Sequence, residues 1–580
     1  MKRRNVVRGA LLVVCAALVL GAPALRAGGE TINWADIAKI KAEGMQRSQV
    51  MELCSWLSDV YAPRLTGSPT ADKAAEWVVS KLKEFGLVNV KIEPWVNRNG
   101  FERGWTNDKF YMAAVSPEKF PIPGTPTAWT PGTEGPVSGE VVLVTATTAE
   151  GLAEYKGKLK GKWVLTQAAP DVPAMWTAPA RRYTVEQLAA MEAPAPLAEF
   201  GMTPPAGAPG GRGAAPAVAP AGRQNAPAGQ AAGTPGGGQP PAGARGNQAF
   251  AAARNEFLQA EGALGTISTA PRGHGMYTIS GNRAADPAKT VPAIGIAAEH
   301  YGRLARMVEK KIPVTVEADI RNTFHPNPRV FNVVGEIPGT DKADEIVILG
   351  AHIDTWHAAT GAADDGVGVA AMMEAVRILK ATGVKLRRTV RVGFWEGEEQ
   401  GLLGSREYVS AHFASRQPAA GAAATPAGGG APQGRGGFGG PTGPLQTKPD
   451  YEKLSVYFNI DNGTGALRGI YTQGNDAVAP IFREWMEPFR SMGMTTVTTR
   501  NTGGTDHLAF DGVGLPGFQF IQDEVEYSSL THHTNMDTYE RLQPNDVMRM
   551  ATISAGFAYL AANREEKLPR KPMPVAAGGR

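Results

Sequence analysis

Cysteine is nearly absent from this sequence: the 580 residues hold two, Cys15 and Cys54. An internal disulfide framework is therefore excluded once the first of them is removed with a leader, and stability must rest on a buried core. Also missing is an excess of one charge sign. The formal net charge is +4, but Lys2, Arg3, Arg4, Arg8 and Arg26 all fall in residues 1–27, and without them acids outnumber bases by one. That balance does not support a nucleic-acid partner, and none is expected. The N-terminal apolar run, Ala10 to Ala22, is too short to span a bilayer. Behind its basic start it reads as a signal peptide over residues 1–27, so the protein is expected to be exported and to keep no membrane anchor after cleavage. Cys15 follows Leu12-Val13-Val14, a poor lipobox, and Cys54 reads as a packed helix residue. Neither the G-x-S-x-G elbow of serine hydrolases nor H-E-x-x-H occurs.

What is abundant is glycine, with 70 residues, and proline, with 44, and both concentrate in two tracts. Residues 194–246 and 415–449 are too poor in large apolar side chains to offset their ordering entropy and are expected to be disordered loops. The length calls for more than one core. Residues 30–124 begin helix, helix, strand, with Ala71, Ala74, Ala75, Val78, Leu82 and Phe85 on one helical face. Residues 323–570 alternate strand and helix, which predicts an α/β fold in three layers, α/β/α, with a mixed, mostly parallel sheet. Between them, residues 125–322 read as a β-rich insertion.

The chemistry gathers around I-L-G-A-H-I-D-T-W-H-A-A-T-G-A-A-D-D-G-V-G, residues 348–368. It starts as a buried strand and ends in glycines before a helical apolar pattern from Val369 to Leu379. His352 and Asp354 thus stand where a strand stops, and Asp364 and Asp365 where a helix starts, at the edge of an open sheet where ligands bind. An imidazole and several carboxylates crowded there are costly unless a cation holds them. Four further clusters sit at strand ends or in loops: Glu396-Gly397-Glu398-Glu399, Asp461, Thr505-Asp506-His507, and His532-His533-Thr534-Asn535-Met536-Asp537.

H-I-D at 352–354, A-D-D-G at 363–366, G-E-E-Q-G-L-L-G-S at 397–405, N-I-D at 459–461 and H-T-N-M-D-T at 533–538 together resemble the M28 family of di-zinc metallopeptidases. The region 505–516 and Arg64-Leu65-Thr66-Gly67-Ser68 resemble further family segments, and 125–322 resembles an inserted protease-associated module. The resemblance implies two Zn²⁺ ions per chain, with Co²⁺ or Mn²⁺ as substitutes. His352 and Asp461 would hold one, Glu399 and His533 the other, and Asp364 would bridge them. Glu398 would be the general base, and Asp354 would orient His352 through its free ring nitrogen. A cis peptide between Asp364 and Asp365 is implied as well.

Asp506 and His507 are expected either to line the substrate pocket or to cap their loop. One departure stands out: where many members carry tyrosine before the last ligand, this chain has His532, so either His532 or Tyr527 would serve the oxyanion. The implied activity is an exopeptidase acting on peptides, an aminopeptidase more than a carboxypeptidase or dipeptidase. A one-metal cyclase-type relative and a non-catalytic binding protein of the same shape are the other readings. The inserted module is placed by analogy over the active-site mouth or at a homodimer contact.

Overall fold

Asn33 starts the first helix, Trp34–Gln46, because its side-chain oxygen accepts from the amides of Ala35 and Asp36, which have no partner within the helix. Ser68 does the same for Ala71 at the head of Pro69–Glu84, where Pro69 needs no amide partner. The face Ala71, Ala74, Ala75, Val78 and Leu82 of that helix is buried, as its spacing predicts. This computed structural model describes residues 29–96, 101–193, 242–283, 286–416 and 443–572. The leader read over 1–27 lies outside them, as does most of each low-complexity tract. The described residues from Asn33 onward form one compact unit. Among the described residues no helix is long and apolar enough to cross a membrane.

The main sheet has eight strands in the order Val88–Pro94, Phe331–Ile337, Arg388–Trp395, Lys342–His352, Leu454–Asn459, Gly517–Gln522, Leu467–Tyr471, Thr496–Thr498. Arg388–Trp395, Lys342–His352, Leu454–Asn459 and Gly517–Gln522 run parallel to one another, and antiparallel strands flank them. Successive side chains of Lys342–His352 leave opposite faces. Ile346 and Ile348 pack with Tyr408, Val409 and Phe510, which belong to one helical layer. Val347 and Leu349 are equally buried and face the other layer. There Val367–Thr382 packs against Pro544–Asn563 and Trp34–Gln46. The expected three-layer arrangement is therefore present.

A second eight-stranded sheet lies between the two parts of the first in sequence. Its parallel strands Val137–Leu143, Trp163–Leu165, Gly265–Ser268 and Ala293–Ile296 cover an apolar core with Tyr301, Leu304 and Ala305 of the helix Ala298–Glu309. Its limits differ from the expected 125–322. Arg103–Ser116 pairs along its length with Thr315–Pro326, from Arg103 opposite Pro326 to Ser116 opposite Thr315, so the module begins near residue 103 and ends near 326. The tract boundaries move too. Residues 242–246 already belong to the helix Ala242–Ala260, and Ala414–Arg416 pairs antiparallel with Leu445–Thr447, because local hydrogen bonds order both flanks.

Candidate metal centre

Parallel strands deliver their carboxyl ends to one edge, and three of them end at the chemistry. Lys342–His352 stops at His352, Arg388–Trp395 runs into Glu396–Glu399, and Leu454–Asn459 runs into Asp461. The fourth, Gly517–Gln522, leads into the turn that carries Tyr527, His532 and His533.

The five expected ligands meet there. His352 Nε2 is 3.2 Å from Asp364 Oδ1 and 3.5 Å from Asp461 Oδ1. His533 Nε2 is 3.3 Å from Asp364 Oδ2 and 2.8 Å from Glu399 Oε2. Asp364 therefore stands between two imidazoles, offering one oxygen to each. The Asp364–Asp365 peptide is cis. Two groups of possible ligand atoms converge, His352 with Glu398 and Asp461, and Asp364 with His532 and His533. The first brings the expected base to the same spot as His352 and Asp461, and the second adds His532.

Buried polar atoms almost always find partners. Here His352 Nε2, Asp364 Oδ2, Glu399 Oε1 and Asp461 Oδ1 are buried without a hydrogen bond, and all belong to the cluster. The protein's own electrostatics also calls for positive charge. Burial pulls the His352 imidazole down, yet the carboxylates of Asp461, Asp354 and Asp364 hold it well above its ordinary range. Burial likewise works against a charged His533, but Glu399 and Asp364 push it up to about 10. Burial lifts Glu399 to about 7 and Glu398 well above a normal carboxyl. Asp364 goes the other way: burial opposes its charge, but His352 and His533 hold its carboxyl well below the ordinary range. Nitrogen and carboxylate donors of this kind suit a borderline divalent cation.

The supports follow from backbone hydrogen bonding. His352 Nδ1 donates to the backbone carbonyl of Asp354 at 3.0 Å, which leaves Nε2 free to face the centre. The expected partner was the Asp354 carboxylate, which is 3.7 Å from that nitrogen. It is occupied elsewhere, accepting from Thr66 Oγ1 at 2.9 Å, Glu398 N at 3.1 Å and Glu399 N at 3.4 Å. Asp354 thus fixes the loop carrying Glu398 and Glu399. Asp365 accepts from the amides of His352, at 3.3 Å, and Gly368, at 3.1 Å. A Cβ at Gly368 would lie 2.3 Å from Asp365 Oδ1, so only glycine admits this contact.

Asp506 accepts from Ser405 Oγ at 2.5 Å, while its Oδ2 is buried and unpaired. His507 has Nε2 2.8 Å from Gln473 Nε2 and 3.2 Å from Thr502 O, so it braces its own loop. His532 stacks on His533 with ring centres 3.8 Å apart, its Nε2 3.9 Å from Asp364 Oδ2. Burial and then the charged His533 drive His532 down to about 3, which keeps it neutral. Tyr527 packs 4.9 Å from the His532 ring and, like it, borders the centre.

Two residues escaped the sequence reading of roles although their motifs were in view. Asp537 accepts from Ala363 N at 2.6 Å and Asp364 N at 3.1 Å, gripping the segment that carries Asp364. Arg64, fully buried, donates to the carbonyls of Ile353, Leu57 and Gly361 at 2.8, 2.5 and 3.0 Å. Both act on the backbone, which residue spacing does not reveal. The second sheet's region also reaches the centre. Ile279 N donates to His533 O at 2.9 Å, Tyr277 N to Asn535 Oδ1 at 2.9 Å, and Thr278 forms an antiparallel bridge with Thr534. These contacts hold His533 at φ +56°, a conformation unusual for a residue with a side chain.

An α/β sheet with imidazoles and carboxylates converging at the carboxyl ends of its parallel strands defines a candidate metal centre. Residues 332–558, which contain all five expected ligands, match the model of Peptidase family M28. Carboxypeptidase Q of Mus musculus is 27% identical over 285 residues, which are 49% of this chain and 53% of that protein. Leucine aminopeptidase 1 of Aspergillus niger is 23% identical over 281 residues, 45% of this chain and 62% of that one. The chain thus spans about half the length of curated relatives such as carboxypeptidase Q. A crystal structure of a peptidase M28 precursor from Shewanella amazonensis, 20% identical, covers 93% of this chain and 98% of its own, with a TM-score of 0.59. That likeness is one of fold.

Proposed function

We propose that the protein is an exported exopeptidase that hydrolyses peptide bonds with two divalent cations, zinc in the first instance, and that it releases residues from the amino end. The observation that carries this reading is Asp364 set between two imidazoles, at 3.2 and 3.3 Å, with Asp461 beside one and Glu399 beside the other. His352 and Asp461 would hold one cation, His533 and Glu399 the second, with Asp364 shared. Such a pair supplies polarisation of a carbonyl and a nucleophile at neutral pH.

The remaining work falls to the chain. Glu398, lifted by burial, is suited to take a proton from the attacking water and return it to the leaving amine. Asp354 keeps it in place through its amide. Neutral His532 offers an N–H to a developing oxyanion. The surrounding carboxylates favour a substrate ammonium group. The sequence assigns no arginine to clamp a substrate carboxylate; of the three candidates Arg500, Arg406 and Arg483, Arg500 donates to Ala190 O at 2.8 Å. The relation to carboxypeptidase Q keeps a carboxypeptidase as the second reading. The second sheet is read as a protease-associated module that also braces the centre.

Metal analysis with a panel of aminoacyl anilides and amino-blocked dipeptides tests this. Two cations per chain and hydrolysis of the anilides are expected. Glu398→Gln should keep both cations and lower kcat by about 10²–10⁴-fold. One cation per chain, or full activity in Glu398→Gln, would refute the assignment.

A further inference from the structure

The turn that carries Tyr527, His532 and His533 is held from outside the M28 match. Apart from partners within residues 524–537, the backbone-to-backbone hydrogen bonds of residues 525–535 go, among the described residues, to Arg181, Tyr277 and Ile279. All three lie in the second module, between residues 103 and 326. Arg181 N donates to Val525 O at 2.9 Å and Val525 N to Arg181 O at 2.8 Å. Asn535 N donates to Tyr277 O at 3.4 Å and Ile279 N to His533 O at 2.9 Å. The turn is thus suspended between two short antiparallel bridges, Arg181 with Val525 and Thr278 with Thr534.

The other pair of expected ligands is held differently. His352 lies opposite Trp395 at the end of a central strand. Ile460 N donates to Gly350 O at 3.2 Å just before Asp461. The main sheet therefore fixes both, and the second module does so only for His533.

The bridge at Arg181 is part of a strap, residues 179–183, in the connection between Trp163–Leu165 and Gly265–Ser268. Ser529 Oγ donates to Pro179 O at 2.8 Å, Arg181 pairs with Glu524 at 2.6 Å, and Tyr183 N donates to Asp523 Oδ1 at 2.9 Å. Arg182 supplies the charge that seats the strap. Its guanidinium joins the buried carboxylates of Asp523, at 3.0 Å, and Asp546, at 2.6 Å. Arg468 reaches Asp523 only at 3.5 Å, and among the described residues Asp546 pairs with no other cation. Removing one partner of a buried ion pair leaves an uncompensated charge, so loss of Arg182 should release the strap.

We propose that the seated strap sets the affinity of one of the two cation positions, that of His533 and Glu399, and that Arg182 is the positioning residue through which it acts. The position of His352 and Asp461 is independent of the strap. The proposal rests on the two-cation reading above. Linkage makes the effect reciprocal: the factor by which the strap tightens the cation is the factor by which the cation tightens the strap.

The test titrates zinc into the metal-free full chain against a coloured chelator, where the parent should bind two equivalents. In Arg182→Met one equivalent should weaken by about 10–100-fold, the range for partners that support a ligand, and the other should stay within about threefold. Arg182→Lys, which keeps the charge, should weaken it less. His533→Ala should lose the same equivalent, and adding Arg182→Met to it should leave the remaining one unchanged. Excess zinc should restore kcat in Arg182→Met, because mass action refills a weakened site. If Arg182→Met does not fold, the parent decides: hydrogen exchange at the amides of Arg181, Val525 and Asn535 should slow as one equivalent fills and not as the other does. Equal weakening of both equivalents, weakening of neither, or exchange at these amides that ignores zinc would overturn the role of the strap and leave the peptidase reading standing. A parent that binds one zinc or none would overturn the two-cation reading itself.

Discussion

Asp537 is the residue whose loss the structure translates most directly into numbers. Its carboxylate is the acceptor for two buried amides, Ala363 N at 2.6 Å and Asp364 N at 3.1 Å. Asp537→Ala leaves both without a partner, and each unsatisfied buried amide costs about 1–3 kcal/mol, so the loss should be roughly 2–6 kcal/mol. Asp537→Asn keeps one acceptor and should cost about half as much. The amide that loses its hold belongs to Asp364, so cation affinity should fall by about 10–100-fold, the range for partners that support a ligand. Urea unfolding followed by tryptophan fluorescence, with chelator present, isolates the stability change. Competition with a coloured chelator reads the affinity. If Asp537→Ala unfolds within about 0.5 kcal/mol of the parent and binds zinc equally well, the grip on Asp364 is not what these hydrogen bonds provide.

Three further outcomes are expected. His532→Ala should reduce kcat by about 10²–10³-fold if the imidazole donates to the oxyanion, and a change within about threefold would exclude that role. Asp354→Ala removes the acceptor for Thr66, Glu398 and Glu399, so kcat should fall while KM moves little, and a change in KM alone would contradict it. Acid stability should involve Glu93, whose burial would raise its carboxyl but whose His412 and Lys91 partners hold it at about 2, below the ordinary 4.5. An acid depressed on folding contributes stability that is complete above its unfolded pKa and lost as pH falls toward the folded one. Glu93→Gln should therefore flatten the decline in unfolding midpoint between pH 4.5 and 2, and an acid limb as steep as the parent's would refute it.

The sequence made the centre legible because ligands must be particular residue types at strand ends. Alternating strands and helices told where those ends lie, and His352, Asp364, Glu399, Asp461 and His533 do converge. Support by backbone was harder to see. Asp354 looked like a partner for an imidazole, but a carboxylate can equally serve amides, and nothing in one sequence tells which amides fold toward it. Arg103–Ser116 went unread because Asn107 and Asp108 look like a turn, whereas they sit at an irregularity in a long antiparallel ladder. The helix Ala242–Ala260 starts within alanine- and glycine-rich sequence whose periodicity is weak. The contact between residues 181–183 and residues 523–525 was invisible in the sequence, since only tertiary structure brings them together.

The bridge between residues 277–279 and 533–535 limits how this molecule can be taken apart. Excising the second sheet at its two-stranded stalk, near residues 103 and 326, would spare every expected ligand. It would nevertheless release the carbonyl of His533 from Ile279 and the side chain of Asn535 from Tyr277. A minimal version cut this way would keep its complete donor set while losing the scaffolding that aims the last imidazole. Trimming for crystallisation or engineering should therefore start elsewhere.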